Sequence, residues 1–191
     1  ATAHVAAVGT RLGLPVKVDA VGNVVISKPG TKGLEDRPAL VLQGHLDMVC
    51  EKNSGTAHDF TKDPIRLIVD GDVVKAGGTT LGADNGIGCA AALAVLESKD
   101  VAHPPLECLF TIDEETGMTG ANALAPSFLG GKRMLNLDTE EEGAIYVGCA
   151  GGLDTVATTT VARVSPAAGA AAYRIAVTGL RGGHSGCDIH E

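Results

Sequence analysis

Tryptophan is absent from the 191 residues, and the aromatic complement is three Phe and two Tyr. A core without large rings has to be built from Val, Leu, Ile and Ala. Twenty-six glycines add many tight backbone turns. Positive charge is also scarce: 15 Lys and Arg stand against 23 Asp and Glu, a net charge of −8. That balance repels phosphate and excludes nucleic acid as a partner. No apolar run reaches the ~20 residues needed to span a bilayer, so no membrane partner is expected. The opening stretch "ATAHVAAVGTRLGLP" lacks the order of a secretory leader and an initiator Met, so further residues are expected before Ala1. The five cysteines have no C-x-x-C pair, which argues against a thiolate zinc site or a redox motif. They read as buried free thiols in a reducing, cytoplasmic compartment.

What is present suits one good core. "VKVDAVGNVVISKPG" reads as two short strands around Val21, Gly22 and Asn23. "PALVLQGHLDMV" is a continuous apolar run, the pattern of a strand covered on both faces. "IRLIVDGDVVKA" is a hairpin around Asp70, Gly71 and Asp72. Residues 85–98 are Ala-rich and apolar on most sides, a helix to be buried on a sheet. "LECLFTID", "RMLNLD" and "AIYVG" read as further strands, and "TGANALAPSFL" begins a short helix. Alternating strands and helices predict a layered α/β domain over residues 1–150 with a largely parallel sheet. After "GCAGG" the texture changes to β-branched alternation in "LDTVATTTVARV" and "AYRIAVTGL". Residues 151–191 read as the first part of a second domain. Two strands make a poor domain, so its remainder is expected elsewhere.

The chemistry gathers at strand ends, where ligands bind in open α/β sheets. "ALVLQG" runs into His45 and Asp47. Asp84 opens the long helix. "LECLFTI" runs into Asp113, Glu114 and Glu115. "RMLNL" runs into Asp138, followed by Glu140, Glu141 and Glu142. So many anions at one edge repel unless a cation neutralises them. One His among carboxylates suits a divalent ion of the Zn, Co or Mn kind. Two such ions need a bridging group, a role open to Asp84, and Gly82, Gly86 and Gly88 allow close backbone approach. Each piece alone has a plainer reading. His45 can be a satisfied core histidine, Asp84 a helix N-cap, Glu114 and Glu115 a solvated helix start, and Glu140 to Glu142 a solvated acidic run.

The stretches "HLDMV", "GTTLGADNGIG", "DEETGMTGA", "LNLDTEEEG", "GCAGG" and "GLRGGHSG" resemble, in order and spacing, the M20 metallopeptidases over nearly the whole chain. The resemblance implies a zinc-peptidase-like layered domain with a mostly parallel mixed sheet, followed by the start of a smaller α+β lid domain. It implies two zinc ions, with Co²⁺ or Mn²⁺ as substitutes. His45 would ligate one zinc, Asp138 would complete that site, Asp84 would bridge, and Glu115 would ligate the other. Asp47 would orient His45, and Glu114, aligned back from Gly117, would be the general base. His184 in "GGHSG" would stabilise the transition state from the lid, through which the full-length protein would form a homodimer. The implied reaction is hydrolysis of unblocked dipeptides, including those ending in His. Related amidohydrolases that cut acyl-amino acids, and a non-catalytic metal scaffold, are the alternatives.

The chain departs from the family pattern in one respect that bears on chemistry. The second zinc of the family takes a distal histidine. His4, His58, His103 and His190 fall outside the ligand motifs. The 191 residues alone are therefore expected to be inactive. Cys50 stands where relatives carry another residue and has no assigned role.

Overall fold

The computed structural model describes residues 1–139, 141, 143–149 and 155–179. The chain divides into two units, Ala1–Gly148 and Cys149–Glu191. In the first, the order is α1 (Thr2–Arg11), β1 (Val16–Val18), β2 (Val24–Lys28), β3 (Leu40–His45), β4 (Leu67–Asp70), β5 (Val73–Ala76), α2 (Ala83–Glu97), β6 (Leu106–Thr111), α3 (Glu114–Gly117), α4 (Thr119–Asn122) and β7 (Arg133–Asn136).

Five strands form one mixed sheet in the order β1-β2-β6-β3-β7. β3 pairs in parallel with both β6 and β7, while β2 is antiparallel to β6 and to β1. All but β2 therefore run the same way, as the alternation of strands and helices predicts. The buried strands are apolar because both faces are covered. Their residues alternate sides. Val24, Ile26, Leu42, Cys108 and Phe110 meet Val5 of α1 and Ala92 and Leu96 of α2 on one face. Val25, Val41 and Leu109 meet Leu124, Phe128 and Leu129 on the other. The opening residues form the helix α1.

β4 and β5 form the predicted hairpin as a separate two-stranded sheet, with Leu67 and Val69 exposed. "AIYVG" does not form the expected strand: Ile145 and Val147 are almost fully exposed. In the second unit, residues 155–179 carry no strand either, and Val156 and Ile175 are exposed. A strand exists only through its ladder, and neither stretch finds a partner among the described residues. No helix among these residues is long and apolar enough to cross a membrane.

Candidate metal centre

Three parallel strands end side by side, and the segments that leave them carry the acids. β3 delivers His45, whose ring is enclosed at 1% exposure. After β6 the chain turns through Asp113 at φ 54 into α3, which begins with Glu114 and Glu115. After β7 comes Asp138. Asp84 stands in the first turn of α2, but its backbone is extended (φ −84, ψ 112), as regular helical geometry begins only after Asn85.

The imidazole lies at the centre. Its Nδ1 is 3.0 Å from the backbone oxygen of Asp47. Its Nε2 lies 3.1 Å from Asp84 Oδ1, 3.6 Å from Asp138 Oδ1 and 4.0 Å from Glu114 Oε2. Donation from Nδ1–H to the Asp47 carbonyl leaves Nε2 aimed into the acids. Among the described residues no Lys or Arg is ion-paired with them. Two groups of donor atoms, each within 4.8 Å of one another, result: His45 with Glu114 and Glu115, and His45 with Asp84 and Asp138.

The electrostatics reflect an excess of anions around one ring. Burial pushes the Asp138 carboxyl up, and a hydrogen bond with Asp84 adds to this, giving about 6. Glu115 is raised by burial and by the neighbouring Asp84. Burial alone would lower His45, but Asp138 and Asp47 outweigh it and the ring holds its proton more tightly than usual. A protonated ring and a shared carboxyl proton are how such a cluster balances charge without a cation. A divalent ion would do the same with all donors deprotonated, and imidazole plus carboxylate oxygens is a donor set that zinc accepts.

The fold brings His45, Asp84, Glu114, Glu115 and Asp138 together. The Asp84 N-cap reading does not hold: the N-cap is Gly82, and no side chain caps the helix. Asp47 lies beside the ring, its Oδ1 3.5 Å from Nδ1. Its carboxylate also accepts the backbone N–H groups of Glu114 (3.0 Å) and Glu115 (3.1 Å), a contact the H-x-D spacing did not reveal. Asp113 is outside both donor groups; its carboxylate accepts the hydroxyls of Thr116 and Thr119, which lower its pKa. Glu141 accepts the Tyr146 hydroxyl. His184, Glu140, Glu142, His190 and Cys187 lie outside the described residues. His4, His58 and His103 belong to neither donor group.

The expectation of buried thiols needs correction: Cys89 and Cys108 are buried, but Cys50 and Cys149 are exposed, in segments outside the sheet. Cys89 donates to the His45 carbonyl at 3.1 Å. Burial, with Asp138 and Asp47 nearby, pushes its thiol up to about 11, so it is a packing residue beside the ring rather than a thiolate ligand. Of the glycines expected to permit close approach, Gly82 (φ 79) and Gly88 do, whereas Gly86 faces open space.

Sequence reasoning missed two buried amides. Asn23 accepts the Ile112 N–H and donates to the Gly120 carbonyl, fixing the far side of the loop that carries Glu114 and Glu115. Asn85 bonds to the segments on either side of Asp84's own. A polar residue at the mouth of an apolar helix was the available signal for the second; the first is hidden in an ordinary turn.

Residues 41–184 match Peptidase family M20/M25/M40. The chain is 53% identical over 178 residues to the cytosol non-specific dipeptidase of Escherichia coli (strain K12), covering 93% of this chain and 37% of that protein. It superimposes on the crystal structure of aminoacylhistidine dipeptidase from Vibrio alginolyticus with a TM-score of 0.72 and 53% identity, covering 74% of this chain and 29% of that one. Against aminopeptidase PepT from Bacillus cereus the TM-score is 0.58 and the identity 25%, with 73% and 37% covered. The chain thus spans about a third of the length of the curated relatives it matches.

Proposed function

The chain belongs to peptidase family M20/M25/M40, and from that premise we propose that its acid-and-histidine cluster is the metal-bearing part of a dipeptidase active site in the cytoplasm. One observation carries the reading: a buried imidazole faces carboxylates from three other chain segments with no Lys or Arg ion-paired to them among the described residues. The names of the Escherichia coli and Vibrio proteins supply the substrate class and, for the first, the compartment.

In this reading His45, Asp84 and Asp138 would hold one zinc, and Glu115, with Asp84 shared, would serve the second. Metal held there would supply a Lewis acid for the peptide carbonyl and would lower the pKa of a bound water toward neutrality. Glu114 is the proton carrier. Its carboxylate accepts the proton of the attacking water and passes it to the departing amine, so the peptide C–N bond breaks as the new C–O bond is completed. Asp47 holds Glu114 and Glu115 through their N–H groups and keeps the ring of His45 in place. His184 donates to the developing oxyanion. For that role, a domain movement or a second subunit of the full-length protein would have to bring it there.

The test is metal-dependent turnover by the full-length protein. Xaa-His and other unblocked dipeptides should be cut, chelation should abolish the activity and zinc should restore it. His45→Ala should abolish both zinc retention and turnover. Turnover that survives complete chelation would sink the reading. Cleavage confined to N-acyl amino acids would move it to amidohydrolysis.

A further inference from the structure

Asn85 follows Asp84 in the chain and is 4% exposed. It carries no charge and reaches no donor atom of the cluster, yet its amide is bonded at both ends. Oδ1 accepts the backbone N–H of His45 at 3.3 Å, and Nδ2 donates to the backbone carbonyl of Leu137 at 2.7 Å. Leu137 immediately precedes Asp138. One side chain therefore ties together the three segments that present His45, Asp84 and Asp138.

The sheet does not make this connection by itself. The β3–β7 register runs only to Gln43 opposite Asn136, with one more bond from the Leu137 N–H to the Gln43 carbonyl. Beyond that point no backbone bond among the described residues fixes how far His45 stands from Asp138. The amide occupies the gap, and the backbone is shaped around it. A Cβ on Gly44 would lie 2.4 Å from Asn85 Oδ1. A Cβ on Gly88 would lie 2.5 Å from the same atom and 2.4 Å from the Leu137 oxygen. Gly44 and Gly88 thus leave the room that Asn85 fills. A primary amide suits the position because it donates and accepts at once and adds no charge beside Asp84 and Asp138.

We propose that Asn85 is a positioning residue for the metal centre, setting the separation of the His45, Asp84 and Asp138 donor atoms. The proposal rests on the metal reading above. It is tested by zinc affinity, measured with a competing chelator on the full-length, metal-stripped protein. Asn85→Leu keeps the approximate shape and removes both bonds; zinc dissociation should rise about 10–100-fold, as for other groups that orient ligands. Asn85→Asp keeps the acceptor for the His45 N–H and should fall between Leu and wild type. At saturating zinc, KM for a dipeptide should stay within about twofold for both variants, since no contact to substrate is lost. Leu96→Ala, buried on the same helix near its other end, controls for simple destabilisation. Wild-type affinity in Asn85→Leu would overturn the proposal, as would an equal zinc loss in a Leu96→Ala protein of matched thermal stability. If Asn85→Leu fails to fold, the Asp variant decides: affinity equal to wild type overturns the proposal, and weakened binding supports it. If the wild-type protein binds no zinc, the metal reading itself falls and takes the proposal with it.

Discussion

Three consecutive acids, Asp113, Glu114 and Glu115, have different surroundings although the sequence presents them as a run. Asp113 sits in left-handed backbone and is bound by threonine hydroxyls, while the next two residues turn toward the ring of His45. That division supports assigning the base and the ligand to Glu114 and Glu115. Glu114→Gln keeps the shape and removes the proton acceptor. Turnover should fall by about 10²–10⁴-fold, the range for a lost acid–base group, with zinc content unchanged. Glu115→Gln should instead lose zinc. Metal analysis of the two variants checks this, and a Glu114→Gln protein that lost zinc but kept residual turnover would shift the register by one residue, to Asp113 and Glu114.

At the scale of elements, the centre depends on what joins the strand ends. β3, β6 and β7 bring their carboxyl ends level, but the loop after β6 is held by side chains from elsewhere. Asn23 at the start of β2 fixes one side of it, and Asp47 after β3 fixes the other. Asp47→Ala frees two N–H groups at the start of α3. Zinc affinity should drop about 10–100-fold. Stability should drop by about 1–3 kcal/mol, the scale of hydrogen bonds to a charged group. Competitive zinc titration and thermal melting separate the two effects. A stability loss with undiminished zinc binding would leave Asp47 a purely structural role.

For the molecule as a whole, the acid cluster makes folding depend on pH and metal together. Asp138 has a folded pKa near 6, above its ordinary value of 3.8, so the metal-free fold binds that proton more tightly than the unfolded chain does. Its contribution is complete below about pH 4 and is lost as the pH rises through 6. His45 is also raised, and its contribution is lost above its ordinary value of 6.5 as the ring gives up its proton. Both act in one direction: the metal-free protein should melt at progressively lower temperature between pH 5 and pH 8. Zinc binds only deprotonated donors, so its stabilisation should grow over the same range. Melting curves with and without zinc test both halves, and a metal-free Tm that rises with pH would contradict this charge balance. The role proposed for His184 is tested at this scale too. In the full-length protein His184→Ala should lower kcat about 10²–10³-fold without changing zinc content. Mixing it with the Glu114→Gln protein should restore partial activity if the histidine acts across a dimer. Absence of complementation in verified mixed dimers would place it in its own subunit's site.

Composition and pattern alone determined the layered α/β class, because buried strands and a buried helix must be apolar in recognisable lengths. They also determined the acids at strand ends, because a carboxylate directly after an apolar run has no reason in packing. Which acids meet was an expectation of the family resemblance; tertiary structure decided how far each stands from His45. Alignment back from Gly117 already set Glu114 and Glu115 apart from Asp113, and the turn at φ 54 is what carries Asp113 out of the cluster. Tertiary structure also decided that Asp47 serves the loop after β6 as well as His45, and that Asn85 and Asn23 are structural ties rather than turn residues. Those roles consist of hydrogen bonds between segments 40 to 97 residues apart. A bond of that kind leaves no periodicity in the chain. The alternating segments after residue 150 show the converse: the pattern of a strand was present, but the ladder that turns a pattern into a strand requires a partner.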